Sequence, residues 1–102
     1  KEKRTRGLMY RKSLGEYDGM LFIYRSKKTL CMWMKNTFIP LTVLFIDERG
    51  YVLEMKDMIP NTETPHCSDN KVRFALEVET EWLKSTNITL KSRITNLNSV
   101  DN

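Results

Sequence analysis

The sequence lacks any hydrophobic run long enough to cross a membrane as a helix. Its longest apolar runs, at positions 20–24 and 43–46, have the length of β-strands, whereas a membrane-spanning helix needs about 20 such residues. No hydrophobic signal core follows the basic first residues, so the sequence as given shows no secretory signal peptide. We therefore expect a protein without a membrane span.

Glycine and proline are scarce, with four and three residues in a chain of 102. The hydrophobic fraction is 40% and the charged fraction 29%, as in ordinary globular proteins, which argues against a fibrous repeat or a disordered chain. A chain of this length supports one hydrophobic core. The sequence predicts a single domain over residues 1–102, with a loose end over residues 98–102.

Cysteine and histidine are also rare. The two cysteines, Cys31 and Cys67, lack the paired spacing of zinc and redox motifs, so we predict no metal site and no cofactor. They are either two separate buried thiols or one disulfide, which would suit an oxidising compartment. The single histidine, His66, precedes Cys67, but neighbours in sequence usually point apart, which disfavours a nucleophilic Cys–His dyad and favours a loop histidine.

Positive charge is concentrated at the N-terminus. The formal net charge is +4, and six basic residues crowd the first 12 positions, namely Lys1, Lys3, Arg4, Arg6, Arg11 and Lys12. This charge falls short of that of dedicated nucleic-acid binders, so nucleic acid is disfavoured as a partner. The cluster is either a solvated surface or a patch for an anionic partner.

Hydrophobic patterning predicts short strands joined by turns. A helix over residues 3–14 precedes a strand over residues 20–24, which is apolar throughout and is predicted to be the central strand, buried on both faces. Residues 29–35 alternate as a strand. Strands over residues 41–46 and 51–55 flank a four-residue turn ending in Gly50, which predicts a hairpin.

The second half of the chain predicts a loop, a strand and a helix. Residues 60–70 have the composition of a long surface loop, and residues 72–78 alternate as a strand with one buried face. Thr80 is predicted to cap a short helix that ends at Ser85. A final strand or two is predicted around Ile88, Leu90, Ile94 and Leu97. The predicted class is α+β, a mainly antiparallel and barrel-like sheet with one or two short helices.

Two groups of polar residues are candidates for ligand binding. Trp33 and Lys35 share the less apolar face of their predicted strand, where an aromatic ring beside an ammonium group suits a polar ligand, and Asn36 adds a donor and an acceptor. Alternatively, Trp33 lies in the core beneath Lys35, and Asn36 bonds the backbone of the bend before Pro40.

Arg6 and Arg11 form the second group, because guanidinium groups bind carboxylates and phosphates well. Alternatively, one of them pairs with Glu77 in a structural salt bridge, on the face that Glu77 shares with Arg73.

Five short motifs stand in order along the chain, at residues 5–11, 19–22, 33–41, 45–50 and 75–78. In sequence and spacing they resemble the domain-of-unknown-function 192 family over roughly residues 4–95. The resemblance implies a compact, mainly β prokaryotic domain, often behind a signal peptide or lipoprotein anchor, with no established activity. It favours a periplasmic or secreted location if a signal peptide precedes residue 1.

The chain departs from the usual family pattern at Thr42, which replaces a common Asp, and at residues 79–81, which replace an Asn-Ala-Gly-like turn. The usual Gly-Asp before the last strand is also missing. These departures weaken any transfer of a catalytic role.

Our leading hypothesis is a small-ligand-binding or accessory domain that takes a small anionic or polar ligand. Its predicted site gathers Arg6, Arg11, Trp33, Lys35, Asn36 and Glu77. One alternative is an enzyme of unknown reaction that uses Glu77 or His66 as an acid or base. The other is a protein-interaction module of the cell envelope that binds an acidic partner through the basic helix.

Overall fold

The computed structural model describes residues 19–94. The predicted helix over residues 3–14, its two arginines Arg6 and Arg11, and the end of the chain at residues 98–102 lie outside the described residues.

Six strands and one helix follow each other along the described chain. They are β1 (Gly19–Lys28), β2 (Cys31–Met32), β3 (Leu41–Ile46), β4 (Val52–Met58), β5 (His66–Cys67), β6 (Val72–Glu79) and the helix α1 (Thr80–Lys84). The main sheet is antiparallel in the order β1-β6-β3-β4, and β2 pairs with β5 in a second, two-stranded sheet.

This architecture confirms the mainly antiparallel α+β class. Between residues 19 and 94 there is one short helix, and the two sheets do not close into a barrel, so the predicted barrel-like form is not confirmed. Within the same range, no helix has the length and apolar character needed to cross a membrane.

The predicted hairpin is confirmed, and its turn is determined by local chemistry. The Asp47 carboxylate accepts hydrogen bonds from the backbone N–H groups of Arg49 and Tyr51, both at 2.9 Å. The Gly50 N–H donates to the Asp47 carbonyl at 3.0 Å. Gly50 has φ +94°, and a Cβ there would collide with the Ile94 carbonyl oxygen, so both the backbone angle and the space require glycine. β4 then continues to Met58, beyond its predicted end.

The main sheet buries both of its faces. One face, which we call the β2–β5 face, packs under residues 30–39; its apolar cluster contains Phe22, Leu30, Met32, Met34, Ile39, Leu41, Val43, Phe45, Met58, Val72 and Ala75. The other, the helix face, packs under α1; its cluster contains Leu44, Ile46, Val52, Phe74, Val78 and Leu83. Both clusters exclude water, which is the main driving force for this fold.

Two predictions about strand position are wrong. The strand over residues 20–24 is part of β1, at the end of the described sheet, although residues from both of its faces join the two clusters. The middle of the sheet is formed by β6 and β3. β6 was expected to bury one face, but residues on both of its faces are buried. It is paired with β1 and β3 along its two edges, and an apolar cluster covers each face of the sheet.

Residues 29–35 form a strand only at Cys31–Met32, yet the predicted alternation holds, with Leu30, Met32 and Met34 buried. The predicted loop over residues 60–70 contains β5, which pairs with β2. A two-residue strand leaves too short a pattern to be detected in the sequence.

The end of the described chain also differs from the prediction. The short helix is confirmed, but its N-cap is Glu79, without a side-chain hydrogen bond; the Thr80 hydroxyl instead lies 3.0 Å from that of Thr42. Residues 88–94 form no strand and make a single bridge, between Arg93 and Tyr51. Ile88 and Ile94 pack against the helix-face cluster, while the predicted Leu97 lies outside the described residues.

Candidate functional site

Glu77 lies in the middle of β6, inside the protein. It pairs with Met20 of β1 and Val43 of β3, and both neighbours belong to the apolar layer on the β2–β5 face. Paired residues project to the same side of a sheet, so the Glu77 side chain enters that layer as well. Only 3% of Glu77 is exposed to solvent. A carboxyl group therefore stands among apolar side chains near the centre of the sheet.

The Glu77 carboxyl group is not compensated by the surrounding described residues. Its Oε1 atom is buried without a hydrogen-bond partner, and none of the ion pairs formed within residues 19–94 involves it. Burial raises the pKa of Glu77 from 4.5 to about 8. The group is therefore mainly protonated at neutral pH, and it can donate a hydrogen bond as well as accept one.

Arg73, which shares the face of Glu77 on β6, does not neutralise it. The Arg73 Nε–H donates to the Tyr24 carbonyl oxygen at 2.9 Å, and the guanidinium group lies 5.1 Å from the centre of the Phe74 ring. Arg73 therefore fastens β6 to β1. The alternative in which Arg6 or Arg11 pairs with Glu77 lies outside the described residues.

Glu54 provides a contrast, because it is a buried carboxylate on the same face with a full set of partners. It accepts hydrogen bonds from the Asp69 N–H at 2.9 Å, the Asn70 N–H at 2.9 Å and the Asn70 Nδ2 at 3.0 Å, and Lys56 Nζ lies 3.7 Å away. Burial acts to raise the pKa of Glu54, but these bonds and the Lys56 charge outweigh it, so the pKa is lowered. Glu54 thus anchors the segment after β5 to β4.

We predict that Glu54→Gln lowers the free energy of unfolding by about 2 kcal/mol, because an amide nitrogen cannot accept the backbone bonds that the carboxylate receives. Since the folded pKa lies below 4.5, this contribution is present above that pH and is lost as the pH falls through the folded value. Urea unfolding at pH 7 and pH 3 measures both effects. Glu63→Gln, at an exposed residue, is the control; equal stability of the two variants at pH 7 would contradict the anchoring role.

His66, a half-buried residue, carries the second buried side-chain atom without a hydrogen-bond partner. Its Nε2 atom is buried and unbonded, and within residues 19–94 only Glu77 Oε1 shares this condition. His66 pairs with Met32, whose side chain lies in the cluster on the β2–β5 face. The imidazole therefore projects toward the main sheet. The sequence prediction of a loop histidine missed this because β5 has only two residues.

Trp33, Lys35 and Asn36 lie on the segment that covers the β2–β5 face. Trp33 is 52% exposed, so the alternative of a core tryptophan is wrong. Lys35 is exposed too, while Met34 between them is fully buried. Asn36 has φ 57° in a turn where the Thr37 N–H donates to the Met34 carbonyl at 3.0 Å. Met34 thus connects two surface residues of the predicted set with the apolar layer that contains Glu77.

A disulfide joins Cys31 to Cys67, which decides between the two alternatives left open by the sequence. It connects paired positions of β2 and β5, and the adjacent Cys67 carbonyl accepts a hydrogen bond from Lys56 Nζ at 2.6 Å. The covering segment with Trp33 and the segment with His66 are therefore tied to each other and to β4.

The described part of the chain contains no group of three or more His, Cys, Asp or Glu residues that could hold a metal ion. Its candidate site consists of hydrogen-bonding and aromatic groups.

Comparison with known proteins gives a family and a fold. The sequence matches the model of the domain-of-unknown-function 192 (DUF192) family, described as an uncharacterised ACR, over residues 1–96. No curated protein matches the chain significantly.

Two solved structures share the fold. One is a Sinorhizobium meliloti 1021 protein provisionally described as a transcription regulator, with a TM-score of 0.82 and 32% identity; the match covers 90% of this chain and 72% of that one. The other is a protein of unknown function from Novosphingobium aromaticivorans DSM 12444, with a TM-score of 0.81, 27% identity and coverage of 90% and 66% respectively. On the family match and these structural relatives, the chain belongs to the DUF192 family.

Proposed function

We propose that this protein is a small-ligand-binding or accessory domain whose site is centred on Glu77. The observation that carries the proposal is the buried carboxyl group with an unbonded oxygen and a pKa of about 8. An unsatisfied polar group destabilises a fold by about 1–3 kcal/mol, and such groups cluster at functional sites. An apolar side chain would fill the same position more favourably, so stability does not account for Glu77.

The remaining residues of the proposed site suit a small anionic or polar ligand. A protonated Glu77 donates a hydrogen bond and adds no negative charge, so it does not repel an anion. Trp33 offers an exposed ring and Lys35 an exposed ammonium group on the covering segment, next to Asn36. Arg6 and Arg11 complete the proposed set from the N-terminal segment. In this arrangement the ligand enters beside Trp33 and reaches Glu77 beneath the covering segment.

The proposal is tested by screening small carboxylates, polyols and phosphate for stabilisation of the folded protein. A ligand at 100 times its Kd raises the free energy of unfolding by about 2.7 kcal/mol. We expect Trp33→Ala and Lys35→Ala each to weaken the binding of a hit at least tenfold without loss of folding, because both side chains are exposed.

Matched controls are Phe38→Ala, an exposed aromatic residue of the same segment, and Lys91→Ala, an exposed lysine elsewhere. Both should bind as the wild type does. Full binding by the Trp33 and Lys35 variants, or no stabilisation by any compound, would refute the proposed site.

A second candidate function is an enzyme in which Glu77 acts as a general acid. The pKa of about 8 favours it, because a carboxyl group that keeps its proton near neutral pH can deliver it to a bound molecule. Glu77→Gln distinguishes the two functions. If the wild type converts a bound compound and this variant binds the compound without converting it, Glu77 is catalytic; if neither converts any compound, the binding role stands.

The disulfide supports a proposed extracytoplasmic location, since disulfides persist mainly in oxidising compartments. A role in DNA binding, as the description of the Sinorhizobium protein would suggest, has less support. Residues 19–94 contain 11 Lys and Arg against 9 Asp and Glu, which is far from the strongly basic surface that binds phosphates. Salt-sensitive binding of a random DNA duplex near 0.1 M salt would contradict this view.

A further inference from the structure

The two buried side-chain polar atoms that lack a hydrogen bond within residues 19–94 face the same layer from opposite sides. Glu77 projects from the main sheet into the apolar layer of the β2–β5 face, as its partners Met20 and Val43 do. His66 projects into that layer from the two-stranded sheet, on the side of its partner Met32. Two independent unsatisfied groups, one from each sheet, thus face the same apolar layer.

Lys56 relates β5 to the row of the main sheet that contains Glu77. Val43 pairs with Glu77 on one side and with Lys56 on the other, so these three residues form one row across the main sheet. At about 4.8 Å between neighbouring strands, the Glu77 and Lys56 backbones are roughly 10 Å apart. Lys56 Nζ donates to the carbonyl of Cys67, the residue after His66. β5 therefore lies over the Lys56 end of this row, two strands away from Glu77.

We propose that His66 and Glu77 are the two hydrogen-bonding ends of one buried site between the sheets, and that this site takes a small carboxylate. The inference rests on the proposed function and adds to it one residue, His66, and a ligand class. It also gives a role to a residue that neither the hydrophobic core nor the disulfide explains.

The hydrogen-bond donors at the two ends of the proposed site favour a carboxylate over a cation. A carboxylate can accept a hydrogen bond from the protonated Glu77 at one oxygen and from a ring N–H of His66 at the other. The Lys56 ammonium group in the same row adds no net charge for the ligand, because it lies 3.7 Å from the Glu54 carboxylate and 3.5 Å from that of Asp69. A cation would instead require Glu77 to ionise within an apolar layer, which burial opposes.

Ordered water is the competing explanation, because buried waters commonly bond polar groups that have no protein partner. Water and a carboxylate differ in a measurable way. A carboxylate saturates the site at a defined concentration and shifts the nuclear magnetic resonance signals of both side chains together. Resident water gives no such response to added solute.

The test is a nuclear magnetic resonance titration of the full chain with sodium acetate and sodium propionate, and with ammonium and tetramethylammonium chloride as cationic counterparts. The chain has one histidine, so its ring signals are unambiguous. We expect the His66 ring signals and the Glu77 side-chain carboxyl signal to shift together and saturably with a carboxylate. His66→Leu and Glu77→Leu, which remove every hydrogen-bonding group at these positions, should each weaken this response at least tenfold, and Glu63→Gln should leave it unchanged.

The possible outcomes separate this inference from the proposed function. If the Glu77 signal shifts saturably while the His66 signals do not, and the His66→Leu variant binds as the wild type does, the role of His66 is overturned and the proposed function survives. Saturation by a cation in place of a carboxylate overturns the ligand class. If neither residue responds but compounds still bind through Trp33 and Lys35, the buried site and the central place of Glu77 are overturned, and ligand binding at the surface remains. If Trp33 and Lys35 also bind nothing, the proposed function falls. A native amide spectrum of each variant shows that the fold is kept.

Discussion

Glu77→Gln is expected to make the protein more stable in alkaline solution, not less. The pKa of Glu77 is about 8 in the folded chain against 4.5 for an ordinary glutamate. Between these values unfolding releases a proton, so the free energy of unfolding falls by about 1.4 kcal/mol per pH unit as the pH rises. Over the whole window this loss is about 5 kcal/mol. Glutamine does not ionise, so its variant lacks this slope.

The comparison is made by urea unfolding of both proteins from pH 4.5 to pH 9. We expect stabilities within about 1 kcal/mol of each other at the acidic end, where both side chains are neutral, and a gap that widens to the alkaline end. Glu63→Gln, at an exposed carboxylate, should run parallel to the wild type throughout.

Whether Glu77→Gln stabilises or destabilises the protein also tests the alternative in which Glu77 forms a structural salt bridge. If an arginine of the N-terminal segment pairs with an ionised Glu77, the substitution removes a buried ion pair and destabilises the protein by about 3–5 kcal/mol near neutral pH. If the carboxyl group is uncompensated, the same substitution relieves a cost. A stabilising result would leave ligand binding or catalysis as the reason for a glutamate in the middle of this sheet.

The hairpin of β3 and β4 could be predicted from the sequence because its causes are local. Two apolar segments flank a turn in which Asp47 bonds the next N–H groups and Gly50 takes a positive φ. Each of these properties belongs to a residue type and acts within four positions of the chain. The helix α1 and the buried positions of Leu30 and Met32 were predictable for the same reason.

The position of each strand within the sheet could not be predicted in this way. The segment at 20–24 is apolar on both faces, which is typical of a central strand, but its place at the end of the described sheet is decided by pairing with β6, over 50 residues later. β6 is central although Arg73 and Glu77 gave it a half-polar pattern. Arg73 is explained by its bond to the Tyr24 carbonyl, whereas Glu77 is the residue that packing leaves unexplained.

His66 was missed for a related reason. Its burial depends on the pairing of β5 with β2, which spans more than 30 residues of sequence and involves two residues on each side. The composition of residues 60–70 is dominated by turn-forming residues, and that signal outweighs two strand positions. The cysteine pair was the one available sign of this contact, because a disulfide between Cys31 and Cys67 would bring the two segments together.

Removal of this disulfide has the second large expected effect. It closes a loop with a sequence separation of 36, and chain-entropy estimates for a loop of this length give about 3–4 kcal/mol of stabilisation. We therefore expect the double variant Cys31→Ser, Cys67→Ser to lose about that much free energy of unfolding. Urea unfolding of the variant beside the wild type measures the loss, and the wild type in a reducing agent should lose a similar amount.

The loss of stability on removal of the disulfide should also be uneven within the molecule. The β2–β5 sheet keeps two paired positions, the two hydrogen bonds between Leu30 and Ser68, the Lys56 bond to Cys67 and the Glu54 anchor. β3 and β6 are each paired along most of their length on both sides. Amide hydrogen exchange should therefore accelerate first at residues 30–39 and 66–70, with β3 protected until global unfolding. Because these segments cover Glu77, opening them should also speed the exchange of the Glu77 proton and its titration from solution. Uniform acceleration across both sheets would show that the disulfide stabilises the whole fold and that the covering segment does not move separately from it.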